Sequence, residues 1–149
     1  EFQPNVEKFD STYKFVGSCI AENVRNFEIQ DHKLIEFFNL FKPINPLDSV
    51  DSKPTNQNQK FVYASLGTMF NVNTFVYDHI IEAVKKIKNY DIKLLLSVGN
   101  ESYKVYEDRI KNNSYQVPNN MCIMQRVPQI EVLKRADLFI THAGMNSVS

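Results

Sequence analysis

Two short, turn-like segments group polar residues and glycines in a pattern that could do chemistry. One is Ser65-Leu66-Gly67-Thr68, and the other is His142-Ala143-Gly144-Met145-Asn146-Ser147. Thr68, Asn146 and Ser147 offer hydroxyl or amide donors, and His142 can donate a hydrogen bond to a phosphate oxygen. Gly67 and Gly144 let the backbone approach a ligand closely. The His-x-Gly-x-Asn-Ser turn follows an apolar run and opens a helix. The first N–H groups of such a helix have no partner within it, so they face outward with the helix dipole behind them, an anion site. Each piece taken singly has an ordinary reading. Gly-Thr ends many strands, a lone His at a strand end is commonly a structural hydrogen-bonder, Asn-Ser is a common helix cap, and Gln129 alone is a solvated helix residue. Order and spacing together point to an anionic ligand.

The elements that must position these segments follow from hydrophobic pattern. Residues 1–20 read as an extended lead-in with a short strand or crossing segment at Tyr13–Gly17. Asp31 is placed to cap a helix over 32–41, where Leu34, Phe37, Phe38 and Phe41 form one apolar face. Pro43 and Pro46 stop it, and residues 43–60 form a polar linker. From residue 61 the pattern is regular. An apolar strand at 61–66 is followed by a helix over 74–88 with Val76, Ile80, Val84 and Ile87 inward. A second strand at 92–99 is followed by a helix over 101–111 with Tyr103, Tyr106 and Ile110 inward. A third strand at 121–124 leads to a short helix begun by Pro128 that carries Ile130 and Leu133, and a fourth buried strand spans 138–141. Strands apolar on both faces, alternating with amphipathic helices, predict an α/β fold: an incomplete Rossmann-like parallel sheet of about four strands, order 3-2-1-4, covered on both sides. In that order the crevice where ligands bind lies between the first and fourth strands, beyond their carboxyl ends. Topology alone therefore brings the two polar segments together. The expected organisation is a lead-in at 1–20, a helix and polar linker at 21–60, and a partial Rossmann-like domain at 61–149.

Composition narrows the class of partner. Seventeen basic and seventeen acidic residues cancel, and 43% of the chain is hydrophobic, which suits a globular domain and offers no electrostatic case for nucleic acid or an anionic membrane. No apolar run approaches the roughly 20 residues that span a bilayer, so no transmembrane segment is expected in this piece. Cys19 and Cys122 read as reduced thiols, which points to a cytoplasmic setting. Asn100-Glu101-Ser102 and Asn112-Asn113-Ser114 match the glycosylation pattern, which an Asn-rich chain produces by chance.

The runs FVYASLGTMFN (61–71) and RVPQIEVLKRADLFITHAGMNS (126–147) resemble the UDP-dependent glycosyltransferases, in particular the macrolide-glycosyltransferase-like branch. Phe2-Gln3-Pro4 with Tyr13–Gly17 resembles the segment where that family's N-terminal domain hands over to its C-terminal one. The resemblance implies a GT-B arrangement, two Rossmann-like domains facing across a cleft, with the UDP-sugar held by the C-terminal domain. It implies Gln129 on the ribose, the backbone of Val127 at the uracil edge, and Thr68, His142, Gly144, Asn146 and Ser147, beside Gly67, around the diphosphate. It implies no metal and no cofactor, the UDP-sugar being the donor substrate, and an acceptor hydroxyl on a small molecule or lipid. Arg126 departs from the pattern, because relatives often carry an aromatic residue there that stacks on uracil; a guanidinium also stacks on a base. The family's ribose-binding acidic residue and its Asp-Gln pair fall past Ser149, and its catalytic base belongs to the N-terminal domain. The expectation is therefore a fragment, inactive alone, with an exposed hydrophobic fourth strand that favours self-association. The rival readings are a catalytically dead nucleotide-binding or partner-docking module and a sugar-nucleotide epimerase, which the Pro-Gln and His-x-Gly-x-Asn-Ser pair disfavours.

Overall fold

A computed structural model of the chain describes residues 6–8, 10–12, 31–40 and 58–144. Val6–Lys8 is a single 3-10 turn. Helix α1 (His32–Asn39) starts where expected, because the Asp31 carboxylate accepts the N–H groups of Lys33 (2.9 Å) and Leu34 (3.2 Å). Phe41, Pro43, Pro46 and most of the expected linker and junction lie outside the described residues.

Strand β1 (Gln59–Ser65) begins two residues before the expected boundary. It leads through a one-turn helix, α2 (Gly67–Phe70), to α3 (Thr74–Lys86). Then follow β2 (Asp91–Ser97), α4 (Gly99–Lys111), β3 (Met121–Met124), α5 (Gln129–Leu133) and β4 (Leu138–Thr141). All pairings are parallel and the order is β3-β2-β1-β4, as the periodicity predicts. Side chains alternate between two cores. Val62, Ala64, Leu94, Leu96 and Ile123 pack under α3 and α4, while Phe61, Tyr63, Leu95, Cys122 and Met124 pack under α1 and α5. Lys33 on α1 donates to the Ile123 carbonyl at 2.9 Å, which places a charged group on the edge strand β3. On the other face, α3 is clipped to α4 by Asp78, which accepts the Tyr106 hydroxyl (2.7 Å) and both oxygens of which meet Arg109 (3.0 Å).

Three expected inward faces are borne out in part, and Ile87, Ile110 and Ile130 are corrected to exposed positions. In α3 the deepest residues are Tyr77, Ile81 and Val84, with Val76 and Ile80 at the flank, and Ile87 lies exposed just past the helix. The face is centred less than one residue, or less than about 100°, further round the helix, towards Tyr77 and Ile81, where the Tyr77 hydroxyl bonds into the sheet and loop. In α4 Tyr106 and Ser102 are buried, Tyr103 is half-buried, and Ile110 is exposed. In α5 the buried residue is Val132, not Ile130; a helix of five residues has too few turns for its period to be read. β4 is not a fully buried strand either. Leu138 is 54% exposed, because β4 pairs only with β1 among the described residues.

The start of β4 is pinned by a reciprocal pair. Asp137 Oδ2 accepts the Phe61 N–H at 2.8 Å, and the Asp137 N–H donates to the Phe61 carbonyl at 2.9 Å. Asp137→Ala deletes the charged acceptor and is expected to cost about 1–2 kcal/mol, since bonds to ionised groups are the stronger kind. Chemical denaturation would measure it, with faster exchange of the Phe61 amide; an unchanged midpoint would mean that β4 is held by its ladder alone.

Candidate functional site

The carboxyl ends of the four strands are level. Ser65 pairs with both Ser97 and Thr141, and Ser97 pairs with Met124. Each of the two inner strands then runs Ser-x-Gly into a helix: Ser65-Leu66-Gly67 and Ser97-Val98-Gly99. Both glycines have left-handed backbones, φ +67° at Gly67 and +72° at Gly99, a region that costs other residues energy.

What fills the space beside those glycines differs. A Cβ on Gly99 would meet the Asn71 side chain at 2.7–3.1 Å. A Cβ on Gly67 would lie 3.1 Å from Nδ1 and 3.2 Å from Nε2 of His142, and closer still to Cε1. A Cβ on Gly144 would lie 2.8 Å from Cε1 of the same ring and closer still to Nε2. The imidazole thus lies against the α-carbons of two glycines, one after each of the neighbouring strands β1 and β4. Ala143 between His142 and Gly144 is left-handed too, at φ +56°, and its N–H donates to Thr141 Oγ1 at 3.3 Å. An alanine held there is unfavourable by roughly 1–2 kcal/mol. That reversal brings Gly144 back across the ring. The Phe70 ring completes the surround, its centroid 5.3 Å from that of His142. His142 is nonetheless exposed to solvent, and among the described residues neither ring nitrogen has a hydrogen-bond partner.

A buried network fixes the loop that carries Gly67. The Tyr77 hydroxyl accepts the Leu66 N–H at 3.1 Å, and its one proton is shared between Asn71 Oδ1 at 2.6 Å and the Ser97 carbonyl at 3.0 Å. Burial pushes this phenol up to about 12. Ser102 Oγ donates to the Asn71 carbonyl, which ties α4 to the same loop. On the far side of Gly99, its N–H donates to the Gln125 carbonyl at 3.0 Å.

The structure therefore brings Gly67, His142 and Gly144 together as the topology predicts. Thr68 follows Gly67 in α2 and is exposed. Arg126, Val127 and Gln129 leave the end of β3, two strands away from β1. Arg126 is exposed, Val127 packs on the core under α1 and α5, and Gln129 is the half-buried first residue of α5. Among the described residues no hydrogen bond or ring contact links these three to the imidazole. Asn146 and Ser147 lie outside the described residues. Sequence reasoning missed Phe70, Asn71, Tyr77 and Gly99. The repeated Ser-x-Gly after two successive strands is the signal that could have drawn attention to Gly99. Cys122 is a free, buried thiol, raised to about 11 by that burial, and Cys19 lies outside the described residues. No group of His, Cys, Asp and Glu suited to a metal, and no helix long and apolar enough to cross a membrane, occurs among the described residues.

Known proteins add an independent line. No family model matches the chain. The uncharacterized UDP-glucosyltransferase YojK of Bacillus subtilis is 33% identical over 149 residues, which is 99% of this chain and 29% of that protein. The NDP-glycosyltransferase YjiC of Bacillus licheniformis is 35% identical over 98% of this chain and 29% of its own length. The chain thus spans under a third of the curated relatives it matches. In structure it is similar to the glycosyltransferase of kitacinnamycin, with a TM-score of 0.58 at 21% identity over 98% of this chain and 30% of that one, a likeness of fold.

Proposed function

Since the chain belongs to the UDP-glycosyltransferase family, we propose that residues 61–149 form the first half of its donor-binding domain and hold the diphosphate and uridine of a UDP-sugar. The observation that carries this reading is the exposed His142 imidazole, whose nitrogens have no hydrogen-bond partner among the described residues, held against Gly67 and Gly144 where β1 and β4 end. A ring nitrogen there is free to donate to a phosphate oxygen, a charge-assisted bond of the stronger kind. Thr68, Gly144, Asn146 and Ser147 complete the diphosphate contacts in this proposal. Gln129 takes the ribose, while Arg126 and the Val127 backbone take the uracil.

The reaction proposed for the whole polypeptide is direct displacement at the anomeric carbon. An acceptor hydroxyl of a small molecule or lipid forms the new C–O bond as the bond to the β-phosphate oxygen breaks. The hydroxyl proton passes to a base from the other domain, and UDP departs with the electron pair. The rim described above contributes fixed donors where negative charge grows on the leaving group. His142 and backbone N–H groups serve that role in this reading, without a metal or cofactor. A reducing, cytoplasmic setting fits the free thiol of Cys122.

The test is a titration of the chain with UDP followed by NMR. Shifts are expected at Gly67, Thr68, His142 and Gly144, and His142→Ala is expected to weaken UDP binding roughly tenfold, the loss of one charge-assisted bond. Equal binding by the wild type and His142→Ala would remove the phosphate role. Shifts confined to residues away from the carboxyl ends of the strands would remove the donor-site reading.

A further inference from the structure

Phe70 is an apolar side chain turned mainly to solvent. It is 55% exposed, on a helix of a single turn. Gly67 and Phe70 stand at i and i+3 of that turn and so share a face. That face meets the His142 ring. The Gly67 α-carbon lies against the edge of the His142 ring, and the Phe70 ring is tilted at 45° to the imidazole with centroids 5.3 Å apart, within the range of a favourable aromatic pair. Gly144 closes a further side. The imidazole has no hydrogen bond among the described residues to set its rotamer, so these packing contacts are what orient it.

We infer that Phe70 is a positioning residue for His142: its ring holds the imidazole in the orientation in which a nitrogen faces the diphosphate. The inference rests on the donor-site reading above and adds a residue to it. Loss of the ring leaves the fold intact, because Phe70 is half in water already, but frees the imidazole to rotate away. The effect therefore falls on recognition of phosphate and not of the nucleoside.

The test compares Phe70→Leu and Phe70→Tyr with the wild-type chain. In ligand-free protein, the ring protons of His142 are expected to carry a ring-current shift that Phe70→Leu abolishes and Phe70→Tyr keeps. UDP affinity is expected to fall roughly three- to tenfold in Phe70→Leu, the scale of one aromatic pair, with uridine affinity and melting temperature unchanged, and Phe70→Tyr is expected to restore it. A His142 ring shift indifferent to both variants overturns the positioning role. So does a parallel loss of UDP and uridine affinity, which marks a structural effect. If the wild type does not bind UDP, the donor-site reading falls and this role with it. If the wild type and Phe70→Leu bind UDP equally, only the role of Phe70 falls.

Discussion

Gly144→Ala is expected to leave the melting temperature nearly unchanged while weakening UDP binding about tenfold or more, whereas Gly67→Ala is expected to damage both. The two glycines touch the same imidazole, yet they differ in backbone. Gly67 has φ +67°, so an alanine there bears the left-handed penalty of roughly 1–2 kcal/mol before any clash is counted. For a chain of 149 residues each kcal/mol moves the melting temperature by about 2–4 °C. Gly144 has no such backbone demand; what its new methyl would strike is the His142 ring, a side chain with open solvent on another side. The ring can swing away at little cost to the fold. What is lost is its placement, and with it the bond to phosphate. Differential scanning calorimetry beside UDP titration separates the two. If Gly144→Ala binds UDP as the wild type does, the imidazole does not work from the position seen here.

The sequence made the frame legible because the frame rests on period. Apolar runs at 61–66, 92–99 and 121–124, alternating with amphipathic helices, read as strands buried on both faces, and that implied the parallel order and the crevice beside β1 and β4. The pairing of Gly67 with His142 was legible as proximity. Its physical content was not, since no pattern shows that an imidazole occupies the space of two missing Cβ atoms. Helix faces were read less well where a polar atom decided them. Val76, Ile80 and Val84 do face the core, but the deepest positions go to Tyr77 and Ile81, because the buried hydroxyl of Tyr77 has three partners in the sheet and loop, and Ile87 is left exposed. β4 reads as buried because Leu138, Phe139 and Ile140 are apolar; how far a strand is covered depends on neighbours that its own residues do not record.

That same hydroxyl is where the largest loss of stability is expected. Tyr77→Phe keeps the ring, the volume and the packing of a side chain with no solvent exposure. It removes one oxygen. The Leu66 N–H then loses its acceptor inside the protein, and Asn71 Oδ1 and the Ser97 carbonyl lose the proton they share. A buried donor left without its acceptor costs about 1–3 kcal/mol, and the two acceptors losing a shared proton bring the expected loss to about 2–4 kcal/mol, roughly 4–16 °C in melting temperature at about 2–4 °C per kcal/mol. The damage does not stay local. Leu66 precedes Gly67, and Asn71 packs against Gly99, so the loop under the imidazole loosens at both ends. UDP binding should fall with stability, unlike in Phe70→Leu. The pH dependence gives a second check. The folded phenol is raised to about 12 from an ordinary value of 10.0, so the folded state keeps a proton that the unfolded chain releases. Its stabilisation is complete below about pH 10 and is lost as pH rises towards 12, about 2–3 kcal/mol across that window for this group. Tyr77→Phe should therefore be less stable than the wild type at neutral pH and lose less on going to alkali. Parallel curves for the two proteins would show that the hydroxyl is not the buried, three-partnered group that holds this rim.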